Sequence, residues 1–377
     1  MRECDVLIVG GGPSGSTLAW SLRHSGLKVL VMDKESFPRD KVCAGWVTPA
    51  VMQSLQIDLN DYKNGRTLQE IKSFKTGTLG NNVIQTPYDQ VVSYGIRRTE
   101  FDAYLLQRSG TETLQNTAFS TMQREGDYWI INNNIRTSLV IGAGGHFCPV
   151  ARTLETRGKK QNIVAAQEVE FKLTEEQQAL CHIDATEPEL YFLPDLSGYA
   201  WAFRKGDYLN IGLGREDKNG LSKHVSSFVD YLKETGKIEF DIPERFKGHA
   251  YILQPHSLRT VVSDGIVLIG DAVGLAYPQS GEGIRPAIES AMMASTVIMQ
   301  AQGRYTKENL LPYQVMLHQR YGKPMNQSRG WLPESWKQKI ASWLMRQRWF
   351  NRNVVIERWF LHSQQPAMQA PDINNIA

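Results

Sequence analysis

A glycine-rich turn near the start of the chain constrains the fold more than any other feature of the sequence. Asp5–Val9 is almost entirely apolar with β-branched residues, which is typical of a strand buried on both faces of a parallel sheet. The turn Gly10–Gly15 follows at once, and Ser16–Ser25 carries apolar residues at helical spacing. Gly26 is suited to end that helix, and Lys28–Met32 is a second apolar strand. The opening of the chain therefore predicts a βαβ unit.

The same turn has the spacing of a nucleotide-binding site. Gly10, Gly12 and Gly15 form a GxGxxG pattern around Pro13 and Ser14, which lets the backbone approach a pyrophosphate at the positive end of the following helix. Asp33 ends the second strand, where its carboxylate is placed to accept hydrogen bonds from ribose hydroxyls, and Lys34 follows it. A purely structural glycine turn would not need strand, helix and terminal acid in register. The motif alone does not separate FAD from NAD.

A second glycine motif lies far downstream. The apolar strand Val261–Ile269 delivers Gly270 and Asp271 to a turn, and the run Gly281-Glu282-Gly283-Ile284 opens a long helix that extends to Gln300. This geometry suits the ribityl and pyrophosphate part of an extended FAD, whereas a simple nicotinamide dehydrogenase does not need it. Capping of the helix is the alternative role for Asp271.

Length and composition limit the class of protein. The 377 residues fit one large intertwined unit or two domains, and no segment is long and apolar enough to span a membrane. A net charge of +3, from 42 basic and 39 acidic residues, gives no bulk argument for nucleic-acid binding. The four cysteines are widely spaced, which argues against a metal site. The start of the chain lacks an export signal, so we expect free thiols in a reducing cytoplasm.

The order of periodicities predicts the fold class: α/β, with a Rossmann-type FAD-binding domain, an inserted antiparallel β-rich substrate domain and a helical C-terminal tail. The discontinuous FAD-binding domain is predicted over residues 1–75, 95–160 and 255–305. The substrate domain takes residues 76–94 and 161–254, and residues 306–377 form the C-terminal region. The clearest further elements are a helix over Thr99–Arg108 and strands over Asp127–Asn132, Ser138–Ile141, Val164–Phe171, Glu189–Phe192, Ala200–Phe203 and Tyr208–Leu213.

These motifs resemble those of the geranylgeranyl reductase family, within the p-hydroxybenzoate hydroxylase-like flavoprotein superfamily. The likeness runs from the first strand to the long helix after Ile284, and its anchors are Gly10–Gly15, Asp33, Arg98-x-x-Phe101-Asp102, Tyr199–Phe203, Lys205–Asp207, Gly212 and Gly270–Ile284. The resemblance implies that Arg98 contacts FAD, Asp271 the ribityl chain and the backbone of Gly281–Ile284 the flavin ring. It also implies a substrate cavity beside the flavin that is lined by Tyr199, Trp201 and Phe203.

Residue chemistry alone leaves a second interpretation open at several of these sites. Arg98 suits a phosphate, and it equally suits a surface pair with Glu100 or Asp102. Tyr199, Trp201 and Phe203 alternate with alanines, so their rings share one face of a strand, and such a face is more often core than substrate wall.

The chain departs from the family pattern at three places. In Lys41–Trp46, Ala44 replaces a glycine and Trp46 adds bulk, so Trp46 is a candidate substrate contact. Cys43 in this loop would tune the flavin or contact substrate, with a buried inert thiol as the alternative. Gly142–Gly145 stands where related hydroxylases carry an Asp-Gly pair, which weakens a monooxygenase interpretation, and Arg204 replaces the family's proline.

The tail mixes aromatic and basic residues. Residues 331–360 hold five of the nine tryptophans, at positions 331, 336, 343, 349 and 359, together with six lysines and arginines. Such mixing fits a helix that lies at a membrane surface, and packing over the substrate domain is the alternative.

The sequence thus predicts an FAD-dependent oxidoreductase, with FAD bound non-covalently, that reduces carbon–carbon double bonds of an isoprenoid or other lipophilic substrate. A flavin-dependent monooxygenase or halogenase-like tailoring enzyme would keep the fold and change the reaction, although the Trp-x-Trp-x-Ile-Pro segment of halogenases is absent. A non-catalytic flavoprotein module is the third hypothesis. The electron donor is left open between NAD(P)H and a ferredoxin-like protein, and no residue stands out as proton donor. We expect a cytoplasmic protein, with contact at the inner face of the membrane left open.

Overall fold

The computed structural model describes residues 1–81, 83–154, 163–216, 220–253, 259–323 and 340–369. In chain order its strands are β1 (Arg2–Val9), β2 (Val29–Met32), β3 (Trp46–Val47), β4 (Leu68–Ile71), β5 (Ser73–Thr78), β6 (Ile84–Pro87), β7 (Ser93–Ile96), β8 (Glu112–Leu114), β9 (Met122–Glu125), β10 (Tyr128–Ile131), β11 (Ile135–Gly142), β12 (Ile163–Lys172), β13 (Glu189–Phe192), β14 (Gly198–Lys205), β15 (Tyr208–Arg215), β16 (Lys247–Ile252), β17 (Val262–Ser263) and β18 (Ile266–Leu268).

Its α-helices are α1 (Pro13–Leu22), α2 (Pro49–Ser54), α3 (Leu59–Lys63), α4 (Arg98–Arg108), α5 (Pro149–Thr153), α6 (Glu175–Ala179), α7 (Leu221–Glu234), α8 (Ile284–Gln300), α9 (Lys307–Tyr321) and α10 (Arg348–Phe350). A π-helix over Asn351–Phe360 continues α10, and a 3-10 turn over Gly270–Ala272 follows β18.

The first sheet is parallel at its centre because its inner strands are apolar on both faces. Its order is β17-β18-β11-β1-β2-β8, and β1 pairs in parallel with both β2 and β11. Val6, Leu7 and Ile8 on β1 have no exposed surface, and α1 and α8 pack against each other beside this sheet. The glycine turn Gly10–Gly12 joins β1 directly to α1. The predicted Rossmann-type FAD-binding fold is confirmed.

The second sheet has the order β16-β12-β15-β14-β13-β5-β6 and is antiparallel except where β13 meets β5. Alternation along β14 separates two cores. Ala200 and Ala202 face α7, whereas Trp201 and Phe203 pack in the cluster that holds the C-terminal segment, residues 340–369. The predicted antiparallel β-rich part is thus confirmed, and a small third sheet, β3-β7-β4, lies beside it.

Two local predictions differ from the structure. The single strand predicted over Val261–Ile269 is wrong, since β17 and β18 form an antiparallel hairpin whose turn uses Gly265 at φ +64°. Helix α7 was not predicted within the β-rich region, although its buried Leu221, Val225, Phe228 and Leu232 have helical spacing. The domain boundaries stay a prediction, and β5, which begins at Ser73, already belongs to the second sheet.

The C-terminal segment packs one face against the second sheet. Met345, Val355, Ile356 and Phe360 are buried in the same cluster as Trp201. The exposed fractions of Trp343 and Trp349 are 61% and 69%. The tryptophans at 331 and 336 lie outside the described residues. In the described ranges, none of the helices combines the length and the apolar character that crossing a bilayer requires.

Candidate active site

A cavity of about 840 Å³ lies where the first sheet meets the second. Val9 and Met32 border it, so it opens at the carboxyl ends of β1 and β2, where parallel α/β sheets bind their ligands. Eleven of the thirteen predicted cofactor residues line it: Gly10, Gly12, Pro13, Ser14, Asp33, Lys34, Arg98, Asp271, Gly281, Gly283 and Ile284.

The glycines of the first motif differ in what a side chain at each position would contact. A Cβ on Gly10, whose φ is +116°, would lie 2.6 Å from the carbonyl carbon of Ala143. A Cβ on Gly15 would overlap the carbonyl oxygen of Gly10, so this glycine lets α1 pack on the turn without reaching the cavity itself. The first neighbour of a Cβ on Gly12 would be the flexible Arg39 guanidinium, at 3.2 Å. The start of α1 therefore presents bare backbone to the cavity.

The second glycine motif packs closely against the first. A Cβ on Gly270 would lie 2.9 Å from the Ser14 hydroxyl oxygen, and Gly270, like Gly15, supports the cavity from behind rather than lining it. Its neighbour Asp271 lies beside the N-cap residue of α8, Gly283, where a Cβ would be 2.9 Å from the Asp271 Oδ1 atom. No described side chain caps α8 by a hydrogen bond, so the capping role considered for Asp271 is not found. Burial raises the pKa of Asp271.

Asp33 is held at the end of β2 by two backbone amides. Its Oδ2 accepts a hydrogen bond from the Gly11 amide at 2.7 Å, and its Oδ1 accepts one from Glu35 at 2.9 Å. These bonds fix the carboxylate beside the glycine turn. Lys34, the next residue, has a side chain 74% exposed at the cavity edge.

Arg98 is buried rather than at the surface. Its guanidinium makes two hydrogen bonds of 2.8 Å to the Asp102 carboxylate and still lines the cavity. Burial alone would lower the pKa of Arg98, but the charge and hydrogen bonds of Asp102 outweigh burial and raise it. Glu100 pairs instead with Arg97, at 2.9 Å. Arg98 therefore stays charged at the cavity wall.

A cluster of nitrogen bases lies on the same wall of the cavity as Arg98. The Lys41 Nζ atom lies 2.8 Å from the Nε2 atom of His249. Burial, assisted by the Arg98 charge, lowers the pKa of Lys41 to about 8, and burial together with Lys41 and Arg98 lowers the pKa of His249 to about 3. The Nδ1 atom of His146, on the same wall, is buried without a hydrogen-bond partner among the described residues. Such a cluster suits a multiply charged anion, and with the glycine turn and Asp33 it fits the pyrophosphate and ribose of FAD.

An aromatic wall closes the other side of the cavity. Trp46 stacks on Phe74 and Phe360 with ring centroids 5.0 and 5.4 Å apart. Tyr199 and Trp201 line the same cavity, and the Trp201 indole N–H donates to the Asn210 Oδ1 atom at 2.7 Å. The structure thus brings three of the four predicted substrate residues together at the cavity.

Phe203, the fourth predicted substrate residue, is not at the cavity. It is 2% exposed on the same face of β14, with its ring beside Gly95 and over the Lys205 side chain. Cys43 is on the wall and half-buried; its Sγ atom accepts a bond from the Gly45 amide at 3.5 Å. The buried-thiol alternative for Cys43 therefore does not describe its position.

A second cavity of about 440 Å³ adjoins the first. Tyr199, Tyr251 and Gly281 line both cavities. Its remaining walls are mostly apolar and include Phe192 from the second sheet and Leu344, Met345, Phe350 and Trp359 from the C-terminal segment. The C-terminal segment therefore covers a mostly apolar extension of the main cavity.

Several cavity residues were missed in the sequence. Lys41 lay inside a loop that was singled out for other reasons, and His249 and Tyr251 lie on β16, which pairs with β12 from a distance along the chain. Glu168 had only a weak signal, since Gln167 and Glu170 are also polar within the predicted strand Val164–Phe171. In the part of the chain that the structure describes, no three His, Cys, Asp or Glu side chains gather as metal ligands.

Comparison with known proteins agrees with this geometry. Residues 3–325 match the family model of the FAD binding domain. Digeranylgeranylglycerophospholipid reductase of Methanocaldococcus jannaschii is 26% identical over 340 residues, which cover 83% of each chain. Geranylgeranyl diphosphate reductase of Rhodobacter capsulatus is 27% identical over 310 residues, which cover 76% of this chain and 75% of the relative.

Among solved structures, a geranylgeranyl bacteriochlorophyll reductase-like protein from Thermoplasma acidophilum is similar with a TM-score of 0.73 and 20% identity. The likeness covers 100% of this chain and 96% of that one. At this identity it establishes a shared fold.

Proposed function

This chain belongs to the FAD-binding domain family, and on that premise we propose that it reduces carbon–carbon double bonds of an isoprenoid or similar lipophilic substrate. Relatives named as reductases of geranylgeranyl compounds support the reaction class. FAD, when bound and reduced, supplies a hydride to an alkene carbon. The chain's own contribution is to bind, orient and exclude water.

The cofactor would be held non-covalently by the two glycine motifs. Backbone amides at Gly10–Gly15 suit the pyrophosphate, and Asp33 and Lys34 are at the ribose end of the cavity. Arg98 offers compensating charge together with Lys41, which the sequence did not suggest. Gly270, Asp271 and the Gly281–Ile284 loop would surround the ribityl chain and flavin ring.

One observation carries the substrate assignment: a second, mostly apolar cavity adjoins the main one, with Tyr199, Tyr251 and Gly281 lining both. Trp46, Tyr199 and Trp201 form an aromatic wall of the main cavity, and Tyr199 also lines the apolar extension, which lies beneath the C-terminal segment. A long apolar chain suits this shape, because it can thread past the rings and bury its whole length. Cys43 lies on the same wall and would contact substrate or flavin.

We also propose contact with the inner face of the membrane in an otherwise cytoplasmic protein. Trp343 and Trp349 are exposed on the segment that covers the apolar extension, and Arg346 and Arg348 are exposed between them. Indole rings favour the headgroup region and arginines favour anionic lipid. This surface would place the extension next to a supply of prenyl lipid.

The proposed function is tested by anaerobic stopped-flow with the purified, photoreduced holoprotein. We expect a prenyl-lipid substrate to restore the oxidised flavin absorbance without oxygen, and NAD(P)H and a reduced ferredoxin would then be compared as electron donors. Reoxidation by oxygen alone, with no response to any prenyl compound, would refute the reductase and favour a monooxygenase.

A further inference from the structure

A buried carboxyl group, Glu168, interrupts the aromatic wall of the main cavity. Alternation along β12 places Ala166 and Glu168 on the face that lines the cavity with Cys43, Tyr199 and Trp201. Glu168 is only 5% exposed. A carboxylate in such surroundings costs free energy unless it is hydrogen-bonded or neutral. The Glu168 carboxyl group therefore lies where a lipophilic substrate would bind.

Hydrogen bonds fix the position of this carboxyl group. The Cys43 amide donates to the Glu168 Oε1 atom at 2.6 Å, and the Asn210 side-chain amide donates to its Oε2 atom at 3.3 Å. Asn210 is itself held by the Trp201 indole N–H at 2.7 Å. The carboxyl group is therefore tied to two predicted site residues, one on each side.

The cations near Glu168 form ion pairs with a second carboxylate, that of Glu170. Glu170, two residues further on the same strand, pairs with the buried Lys205 and with Arg97, whose Nε atom lies 3.2 Å from the Glu170 Oε1 atom. Within the described chain no ion pair reaches Glu168. The groups that face it are Cys43 from its loop, Glu170 from β12, Lys205 from β14, Asn210 from β15 and Lys247 from β16.

This arrangement favours the protonated form of Glu168. Burial is the main cause, the Glu170 charge adds to it, and together they outweigh the Cys43 amide, Lys205 and Asn210, so that the pKa of Glu168 rises to about 7. A general acid works best when its pKa lies near the working pH. Glu168 therefore has both the position and the protonation state of a proton donor.

We propose that Glu168 is a catalytic residue that donates the proton taken up by the second alkene carbon. The assignment rests on the proposed function. The alkene π bond breaks as one carbon gains a hydride from the reduced cofactor, and the other carbon gains the Glu168 proton as the carboxyl O–H bond breaks. The substrate gains two electrons and the cofactor is oxidised. The carboxylate then regains a proton from water.

Glu282 is the competing acid on the same cavity. Burial raises its pKa to about 7 as well. Its Oε1 atom, however, accepts the Arg285 amide at 3.3 Å, and its Oε2 atom is buried 3.8 Å from the Nε2 atom of His362 in the C-terminal segment. Its carboxyl group is thus positioned by the start of α8 and by the C-terminal segment, whereas that of Glu168 is positioned by Cys43 and Asn210.

The test compares single-turnover flavin reoxidation by a prenyl substrate in the wild type, Glu168→Gln and Glu282→Gln. Glutamine at 168 can still accept the Cys43 bond but carries no proton to give, so we expect the rate to fall roughly 100-fold or more. Glu168→Asp should recover part of it. Glu187→Gln is the control, because Glu187 is a buried carboxylate just before β13 and does not line the cavity.

The pH profile separates proton donation from a structural role. The wild-type rate should fall about tenfold per pH unit above pH 7, as the acid ionises, and Glu168→Gln should lose that dependence. Two infrared carboxyl bands should titrate near pH 7 in the holoprotein without substrate, and Glu168→Gln should remove one of them and Glu282→Gln the other. Flavin content and circular dichroism check that each variant is folded.

The outcomes distinguish the two proposals. A wild type that reacts with no prenyl substrate overturns the proposed function, and the role of Glu168 with it. A wild type that reacts, with Glu168→Gln equally fast and equally dependent on pH, overturns the assignment alone. Loss of the pH dependence in Glu282→Gln, with its retention in Glu168→Gln, would move the role to Glu282.

Discussion

Replacing Glu289 with glutamine tests whether one buried carboxylate fastens the C-terminal segment to the helix that begins at the cofactor loop. Glu289 on α8 is 1% exposed and accepts hydrogen bonds from Arg285 Nε at 2.8 Å, Arg320 Nη2 at 2.6 Å and the Tyr321 hydroxyl at 2.7 Å. Arg285 in turn donates to backbone carbonyls of the C-terminal segment, at 2.8 Å for Gln365. The carboxylate therefore links α8, α9 and that segment.

The loss of stability depends on which arginine side chain cannot become solvent-exposed once the carboxylate is gone. Arg320 has a side chain 18% exposed and can turn outward, whereas the Arg285 side chain is 2% exposed and would be left charged and buried. Breaking a buried ion pair from one side costs about 3–5 kcal/mol. An unfolding entropy of about 2.1 cal/mol/K per residue over the 377 residues converts this into a Tm lower by about 4–6 °C.

Thermal unfolding followed by circular dichroism measures this loss. Asp230→Asn, which removes a charge from the exposed side of α7, is the control and should change stability by about 0.5 kcal/mol at most. A Glu289→Gln variant with a Tm equal to that of the control would refute the reasoning.

The same residue predicts a pH dependence. Burial alone would raise the pKa of Glu289, but the hydrogen bonds and charges of Arg320 and Arg285 outweigh it, so the pKa lies below its usual range. The stabilisation is therefore present above about pH 4.3, the pKa of an unfolded glutamate, and is lost as the pH falls through the lower pKa of the folded state. The Tm difference between wild type and Glu289→Gln should close in that acidic range.

Three further predictions concern the site. Gly10→Ala should prevent folding, since the added Cβ would meet backbone atoms. Gly12→Ala should fold and lose affinity for FAD, and equal FAD titrations of Gly12→Ala and wild type would contradict the proposed contact of FAD with the glycine turn. Trp201→Ala should raise KM for a prenyl substrate more than Trp201→Phe, because phenylalanine keeps part of the aromatic wall; equal KM values would exclude Trp201 from substrate contact. The double change Trp343→Ser and Trp349→Ser should weaken sedimentation with anionic vesicles and leave FAD binding intact, and unchanged sedimentation would argue against the membrane surface.

Local motifs could be predicted because their determinants are close together in the chain. The Gly10–Gly15 turn, its flanking elements and Asp33 lie within one βαβ unit, and the steric demand on Gly15 comes from Gly10 in the same unit, whereas that on Gly10 comes from Ala143, far along the chain. The prediction of a single strand over Val261–Ile269 was wrong, and the cause of this error is also local. Asp264 and Gly265 form a turn that divides the apolar run into two short antiparallel strands.

The rest of the site could not be predicted because long-range pairing creates it. Lys41 meets His249 only when the loop after β2 lies against β16, and Phe360 reaches Trp46 only when the C-terminal segment crosses the second sheet. Arg98 shows the limit most clearly. The sequence offered either a phosphate contact or a surface pair with Glu100 or Asp102, and the structure has the Asp102 pair buried, with Arg98 still lining the cavity.

Product analysis tests the central claim most directly. Photoreduced holoprotein is mixed with a prenyl substrate without oxygen, as the sole reductant, and the lipid is analysed by mass spectrometry. The account predicts a product with one saturated double bond, heavier by two hydrogens, for each flavin oxidised. Unchanged lipid without oxygen, together with an oxygenated product when oxygen is admitted, would contradict it.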